Sequence, residues 1–305
     1  TAGSETKPSW SNDIVVTGKR EGYAAPDSGA ATRTDTPLIQ VPQSVQVLTR
    51  TLIQEQDRRT LGDALVNVSG VVPTRSEEQL LIPPLVRGFP AEVYLDGLQI
   101  YAGNQQAFDP TSLVGVERID VLKGPSATLY GGGLGTPLGG IINIESERPN
   151  DKLGGYLAMR GGSFSTWNPY GDINVPLASG VAARIAAEYQ SNHSWIDQIH
   201  GSRWSVQPSL SFQIDPRTDL LLQGQFNHRA QLEYSGLPAQ QALSGQIDRN
   251  AFPGSPTGQP LTTNDNRMGQ ATLRHRFTDD LKLTVSGRYY DSSIREYGSF
   301  VDPDF

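Results

Sequence analysis

The sequence contains no cysteine. Disulfides and thiolate metal sites are therefore excluded, and the absence suits a chain that crosses an oxidising compartment, although many cytosolic proteins lack cysteine too. Long apolar runs are also missing. None approaches the ~18 residues of a membrane helix, and no signal peptide opens the chain. On those grounds the chain is either cytosolic or a mature exported product. Positive charge is in short supply, with lysine scarce and a net charge of −7, which speaks against a large nucleic-acid or anionic-membrane footprint. What is plentiful is glycine, proline, asparagine and glutamine, with aromatics spread along the chain. That mix favours strands and turns over helices, and 305 residues accommodate two domains of ordinary size.

Residues 1–35 are polar, small and spotted with proline, and read as a mobile tail. One strand-prone island interrupts it: Asp13, Ile14, Val15, Val16, Thr17 and Gly18. So short a strand is not stable alone. It is either a chance apolar patch or a segment that adds itself to a partner's sheet edge. Residues 36–150 read as a compact α+β domain with a core of its own. A strand over Ser44–Leu48 leads into a helix carrying Leu52 and Ile53, and Thr60 caps a second helix that stops near Gly70. The runs PLVRGF, EVYLDGLQI, VERIDVLKGP and GGIINIESERP follow, each a strand candidate bounded by glycine or proline.

After Asn150 the pattern changes to strict alternation. Trp204, Val206, Pro208, Leu210, Phe212 and Ile214 are apolar, and the five residues between them are polar. The same period of two appears at Val181–Tyr189, Leu220–Phe226, Ala271–Phe277 and Leu281–Tyr289, and more weakly at Gly155–Gly161 and Gly171–Leu177. This makes roughly seven strands of about ten residues, the length that crosses a bilayer at a steep tilt. Connections alternate between short (ASG, DPRT, TDD) and long (GSFSTWN, SNHSWIDQIHGS, and the stretch from Arg229 to Arg267). That alternation marks a transmembrane antiparallel β-barrel, with tight turns at one end and extended loops at the other; a soluble β-sandwich is the competing architecture. Seven strands do not close a barrel, and an open edge in hydrocarbon leaves backbone groups unpaired. Residues 151–305 are therefore expected to be the N-terminal part of a larger barrel.

The densest glycine cluster, LKGPSATLYGGGLGTPLGGIINIESERP at 122–149, raises the question of a phosphate cradle. The spacing answers it. There is no G-x-x-x-x-G-K-[ST], Lys123 precedes the glycines, and Leu138 stands where the third glycine of G-x-G-x-x-G belongs. No Ser/His/Asp or His/carboxylate constellation clusters either. The glycines read as backbone hinges, and an enzyme is not expected.

A tail with one strand island, a domain of about 115 residues and then barrel strands form a specific order, and it resembles the TonB-dependent outer-membrane receptors of siderophore-receptor type. In that family a globular plug fills a barrel of 22 strands. DIVVTG looks like the TonB box. PQSVQVLTRTLIQEQ and TLGDALVNVSGV are similar to the opening of siderophore-receptor plugs, VRGF and VYLDGL follow, and VERIDVLKGPSATLYGGG and GGIINIESERP resemble the plug's closing signatures. The motifs cover about residues 13–150; beyond them only the alternating pattern matches.

The resemblance implies an outer-membrane importer of a ferric siderophore, with import of haem, cobalamin or a glycan as the alternative and a soluble β-rich adhesin as a remote one. Haem capture often uses an axial histidine, yet all four histidines (His193, His200, His228, His275) fall in the barrel portion. The implied partners are the inner-membrane TonB complex, the Fe(III)-siderophore chelate, and outer-membrane lipid and lipopolysaccharide around a monomer, with no nucleic acid, no cofactor and no metal bound directly by protein. The box Asp13–Gly18 would pair edge-on with TonB. With twelve residues ahead of it in this sequence, a signalling domain is not expected. Arg87 and Lys123 resemble the basic pair that holds plug to barrel, their acidic partners lying beyond residue 305; an internal ion pair with Glu117 or Asp120 is the competing role. Lysine at 123 departs from the family's arginine and lacks its fork of donors. In the apical loops Thr74–Pro84 and Tyr101–Pro110, Arg75, Tyr101, Gln105 and Gln106 are the candidate ligand contacts.

Overall fold

The computed structural model describes residues 22–34, 36–73, 84–100, 112–124, 138–234, 236–254 and 257–298. The island at 13–18, residues 74–83 and 101–110 of the apical loops and residues 125–137 of the glycine cluster lie outside the described residues.

The first unit is a five-stranded sheet with helices packed on it. A one-turn helix α1 (Gly29–Thr32) precedes strand β1 (Ser44–Thr49), which passes directly into helix α2 (Arg50–Glu55). Thr49 ends the strand and caps the helix, its side chain accepting a bond from the Leu52 amide. Helix α3 (Leu61–Leu65) opens on a full capping box, with Thr60 and Asp63 exchanging side-chain and backbone bonds. It ends well before Gly70, because Val66, Asn67 and Val68 are poor helix formers and the chain turns there instead.

Two of the expected strands are in fact hairpins. VRGF is β3 (Leu85–Val86) turning into β4 (Phe89–Pro90), after a short β2 (Val71–Val72) that pairs with β3. VYLDGLQ is β5 (Glu92–Leu95) turning into β6 (Leu98–Gln99). In both, the two turn residues have positive φ: Arg87 at 52° with Gly88 at 84°, and Asp96 at 50° with Gly97 at 77°. Two successive left-handed residues make the tight turn whose twist matches an antiparallel pair. Strands β7 (Val116–Lys123) and β8 (Gly140–Ser146) complete the sheet in the order β1-β7-β8-β5-β6, antiparallel except for β5 beside β8. The chain enters β8 against the backbone of its neighbour: a side chain at Gly140 (φ 141°) would lie 2.0 Å from the Leu122 carbonyl oxygen. Only glycine satisfies both constraints.

Each face of this sheet has its own core. Ile119, Val121, Ile142 and Ile144 face one way and pack with Leu48, Ile53, Leu61, Leu65, Val86 and Leu95. Leu122 and Ile141 face the other way, against Tyr94 and against Ala30 and Ala31 of α1. Residues 22–34 are thus docked rather than part of a mobile tail. Two buried alanines and an Asp27–Arg118 ion pair at 3.3 Å hold them to the sheet.

The second unit is a seven-stranded antiparallel meander: β9 (Gly154–Gly162), β10 (Thr166–Ala178), β11 (Val181–His193), β12 (His200–Asp215), β13 (Thr218–Gln231), β14 (Thr262–Arg276) and β15 (Lys282–Arg295). Its polarity is inverted relative to a soluble sandwich. Asn168, Asn174, Glu188, Gln225, Asn227, Asn264, Asn266 and Gln270 are buried, whereas Leu157, Ile173, Ile185, Leu210, Leu222, Phe226, Leu283 and Val285 are exposed. A wall that is polar inside and apolar outside is what a barrel presents to lipid.

The strands run longer than the alternation suggested, up to 16 residues in β12. The connection GSFSTWN shrinks to a tight turn at 163–165, with Phe164 and Ser165 at φ 58° and 54°. The third long loop narrows to 232–261 and includes a short helix, Ala239–Leu243. In both places the strands continue past the apolar band, where neither face needs hydrocarbon contact and the alternation fades while backbone pairing persists.

Candidate functional site

The first unit lies against the polar inner face of the wall, and the contact centres on four charges. Arg50, the first residue of α2, is 2.8 Å from Glu147 through Nη1 and 3.2 Å from Asp172 through Nη2, and also donates to the Val116 carbonyl at 3.1 Å. Arg184 of β11 donates to both oxygens of Asp172 on β10, at 2.8 and 2.7 Å, and pairs with Glu147. Two cations and two anions therefore alternate around a ring, one pair from each unit. All four side chains are sheltered, Asp172 being 1% exposed. Charges this buried are stable only while mutually paired.

A second contact holds the Asp96–Gly97 turn. Asp96 accepts bonds from the Ser146 amide and hydroxyl, both at 2.9 Å, and from Gln223 of β13 at 3.1 Å. Burial pushes its carboxyl up, against the pull of Ser146 and Arg288. Arg288 of β15 donates to the carbonyls of Leu98 (2.9 Å), Gln99 (3.4 Å) and Leu95. A third contact is steric. A Cβ at Gly115 would fall 2.4 Å from Gln207 Oε1 and 2.8 Å from the Ala186 methyl, while Gln207 donates to the Ser112 carbonyl at 3.0 Å. Toward the end of the wall that carries the short turns, an open cavity of about 1300 Å³ separates the units, lined by Arg118 and Arg148 on one side and Arg217, Arg274 and Arg276 on the other.

Lys123 sits elsewhere. Its ammonium donates to Gln46 at 3.1 Å and to Ser69 at 2.8 Å, both within its own unit. Burial, then the neighbouring Arg87, pulls its pKa down. The Arg87 guanidinium lies beside Gly124, where an added Cβ would be 3.3 Å from Nη1. Among the described residues, neither has an ion pair, with Glu117, with Asp120 or with the wall. Asp120 instead lies 3.4 Å from Arg118 Nε, and Arg118 pairs with Glu145 at 2.9 Å. Arg75, Tyr101, Gln105 and Gln106 fall outside the described residues. Sequence reasoning missed Arg50, Glu147, Asp172 and Arg184. Asp172 and Arg184 did carry a signal: they are charges on the face opposite each strand's apolar row.

A globular sheet held against the polar face of an inverted wall is the architecture of an outer-membrane receptor. Residues 37–136 match the family model described as TonB-dependent Receptor Plug Domain, and this part of the chain is a plug domain of the TonB-dependent receptors. It is 30% identical over 284 residues to the metal-pseudopaline receptor CntO of Pseudomonas aeruginosa, covering 92% of this chain and 39% of that protein. It is 32% identical to the ferrioxamine receptor of Yersinia enterocolitica, covering 90% and 39%. The chain thus spans about two fifths of the length of these relatives. Among solved structures, the pyoverdine receptor FpvA of P. aeruginosa PAO1 superposes with a TM-score of 0.83 at 21% identity, covering 93% of this chain and 42% of that one. The siderophore receptor PiuA of Acinetobacter baumannii gives 0.77 at 24%, covering 90% and 40%. These last two likenesses establish the fold: a plug with seven strands of its barrel wall.

Proposed function

We propose that the whole receptor imports a ferric siderophore across the outer membrane, driven by TonB. The observation that carries this reading is a plug tied to its wall by a sheltered ring of four charges, in a chain whose relatives include receptors named for ferrioxamine and ferrichrome. In this reading residues 36–150 are the plug and 151–305 the start of the barrel. Asp13–Gly18 pairs with TonB by strand addition, and Arg75, Tyr101, Gln105 and Gln106 face the chelate. Arg87 and Lys123 are then left for acids of later strands. The receptor works as a monomer bounded by lipid and lipopolysaccharide. A second reading, import of a chelate of another metal, is favoured by the relative named as a metal-pseudopaline receptor.

The test is a binding and uptake panel on the full-length receptor, using radiolabelled ferric hydroxamates, catecholates and carboxylates beside nickel and zinc chelates. Saturable uptake of one ferric chelate, lost in a Val15→Pro variant, is the expected result. Uptake of only the nickel or zinc chelates selects the second reading, and no uptake of any metal chelate overturns both.

A further inference from the structure

Strands β11 and β12 end, at the loop-bearing end of the wall, on a pair of histidines. His193 and His200 are register partners, and their ring centres are 6.1 Å apart. The backbone shows which kind of pair this is. The His193 amide donates away from β12, to the Phe164 carbonyl at 2.8 Å, and the His200 carbonyl accepts from Leu232 at 3.1 Å, away from β11. The two residues therefore form a non-hydrogen-bonded pair, the arrangement that brings cross-strand side chains closest.

The geometry points to a two-imidazole site for a borderline divalent cation such as Ni²⁺ or Zn²⁺. An ion about 2.0–2.1 Å from one nitrogen of each ring holds the ring centres roughly 5–6 Å apart, so small side-chain rotations from 6.1 Å are enough. His200 is already oriented for the task. Its Nδ1 lies 2.8 Å from the Gln198 carbonyl, and Gln198 is held at φ 67°. With the Nδ1 proton donated to that carbonyl, Nε2 keeps its lone pair, the arrangement that tunes metal-binding histidines. Among the described residues no group of three or more His, Asp or Glu ligands assembles. The protein thus supplies two positions, and water or an anionic group supplies the rest.

The placement says what this site is not. His193 continues the exposed row of Ile185 and Tyr189, and His200 that of Trp204, so both face away from the lumen. Trp167 and Tyr189, ring centres 5.3 Å apart, form with Trp204 an aromatic band on that outer surface. The histidines lie four residues beyond it, roughly 10 Å farther out along tilted strands. The site flanks the barrel at headgroup level, off the path of any imported chelate, and an ion bound there ties together the outer ends of two strands. It holds independently of the import reading.

The test is calorimetric titration of untagged full-length receptor in detergent with Ni²⁺, comparing wild type with His193→Gln, His200→Gln and the double variant. Each single change is expected to weaken one Ni²⁺ site about tenfold or more. The double change should lose little beyond either single, because the two rings act as one chelate. Wild-type affinity in the double variant, or in both singles, overturns the proposal. Cu²⁺ paramagnetic resonance on the wild type needs no variant to fold: a two-nitrogen signature supports the site, and its absence overturns it.

Discussion

Replacing Asp172 by alanine tests whether the four-charge ring couples plug to wall. Its carboxylate receives three charge-assisted bonds, from Arg184 at 2.8 and 2.7 Å and from Arg50 at 3.2 Å. Stripping one member from a buried ion cluster costs about 3–5 kcal/mol, because the partners are left charged without compensation. Glu147 still faces both arginines, which places the loss near 3 kcal/mol. At about 1.4 kcal/mol per decade, local opening around β1 and α2 becomes roughly 100-fold more frequent. Hydrogen exchange by mass spectrometry on the full-length receptor reads this directly: amides of 44–55 and 116–123 should exchange faster, and those of β13–β15 should not. Replacing Arg50 by methionine and Asp172 by leucine together should recover most of the protection, since a packed apolar pair substitutes well for a buried ionic one. Unchanged exchange in Asp172→Ala, or equal loosening of every strand of the wall, refutes the coupling.

Three further outcomes follow from the same structure. Gly115→Val drives a side chain into Gln207 and Ala186 and should destabilise plug docking by about 1–3 kcal/mol, seen as a lower denaturant midpoint for the plug with the barrel transition unmoved. Burial, then Glu145, pushes Asp120 up to about 7 from its ordinary 3.8, against Arg118; the folded plug therefore holds a proton there that the unfolded chain releases, and this group's contribution falls as pH rises from about 4 to 7 and recovers on acidification. Asp120→Asn should flatten that slope in unfolding measured between pH 4 and 8. Val15→Pro should abolish uptake while leaving chelate binding intact, because proline removes a ladder donor from the pairing segment; binding and uptake lost together would count against it.

What could be read from sequence depended on whether the signal was periodic. The wall was legible because apolar and polar residues alternate over many strands, as at Leu210, Phe212 and Ile214 against Ser209, Ser211 and Gln213. The Thr60 cap was legible because Asp63 stands three residues on. The two Asp-Gly and Arg-Gly turns were hidden inside runs that look like single strands, since two left-handed residues leave the flanking apolar pattern intact. The strand ends were hidden for the opposite reason: pairing persists where the alternation has faded. The charge ring could not be assembled from spacing, because Arg50, Glu147, Asp172 and Arg184 meet only once plug and wall are stacked. The apical residues Arg75, Tyr101, Gln105 and Gln106 remain a proposal for the uptake panel to decide.

The sheet order β1-β7-β8-β5-β6 puts β1 at an edge, and this has a mechanical consequence. β1 is paired on one side only, from Ser44 opposite Lys123 to Thr49 opposite Arg118. A load on the chain ahead of Ser44 detaches α1 first, then opens β1 from β7 like a zipper, one rung at a time. The zipper meets its stop at Arg50, where the ring is riveted to β10 and β11. The central strands β7 and β8 keep their own pairing while the edge opens, so the plug can surrender its edge and keep its centre.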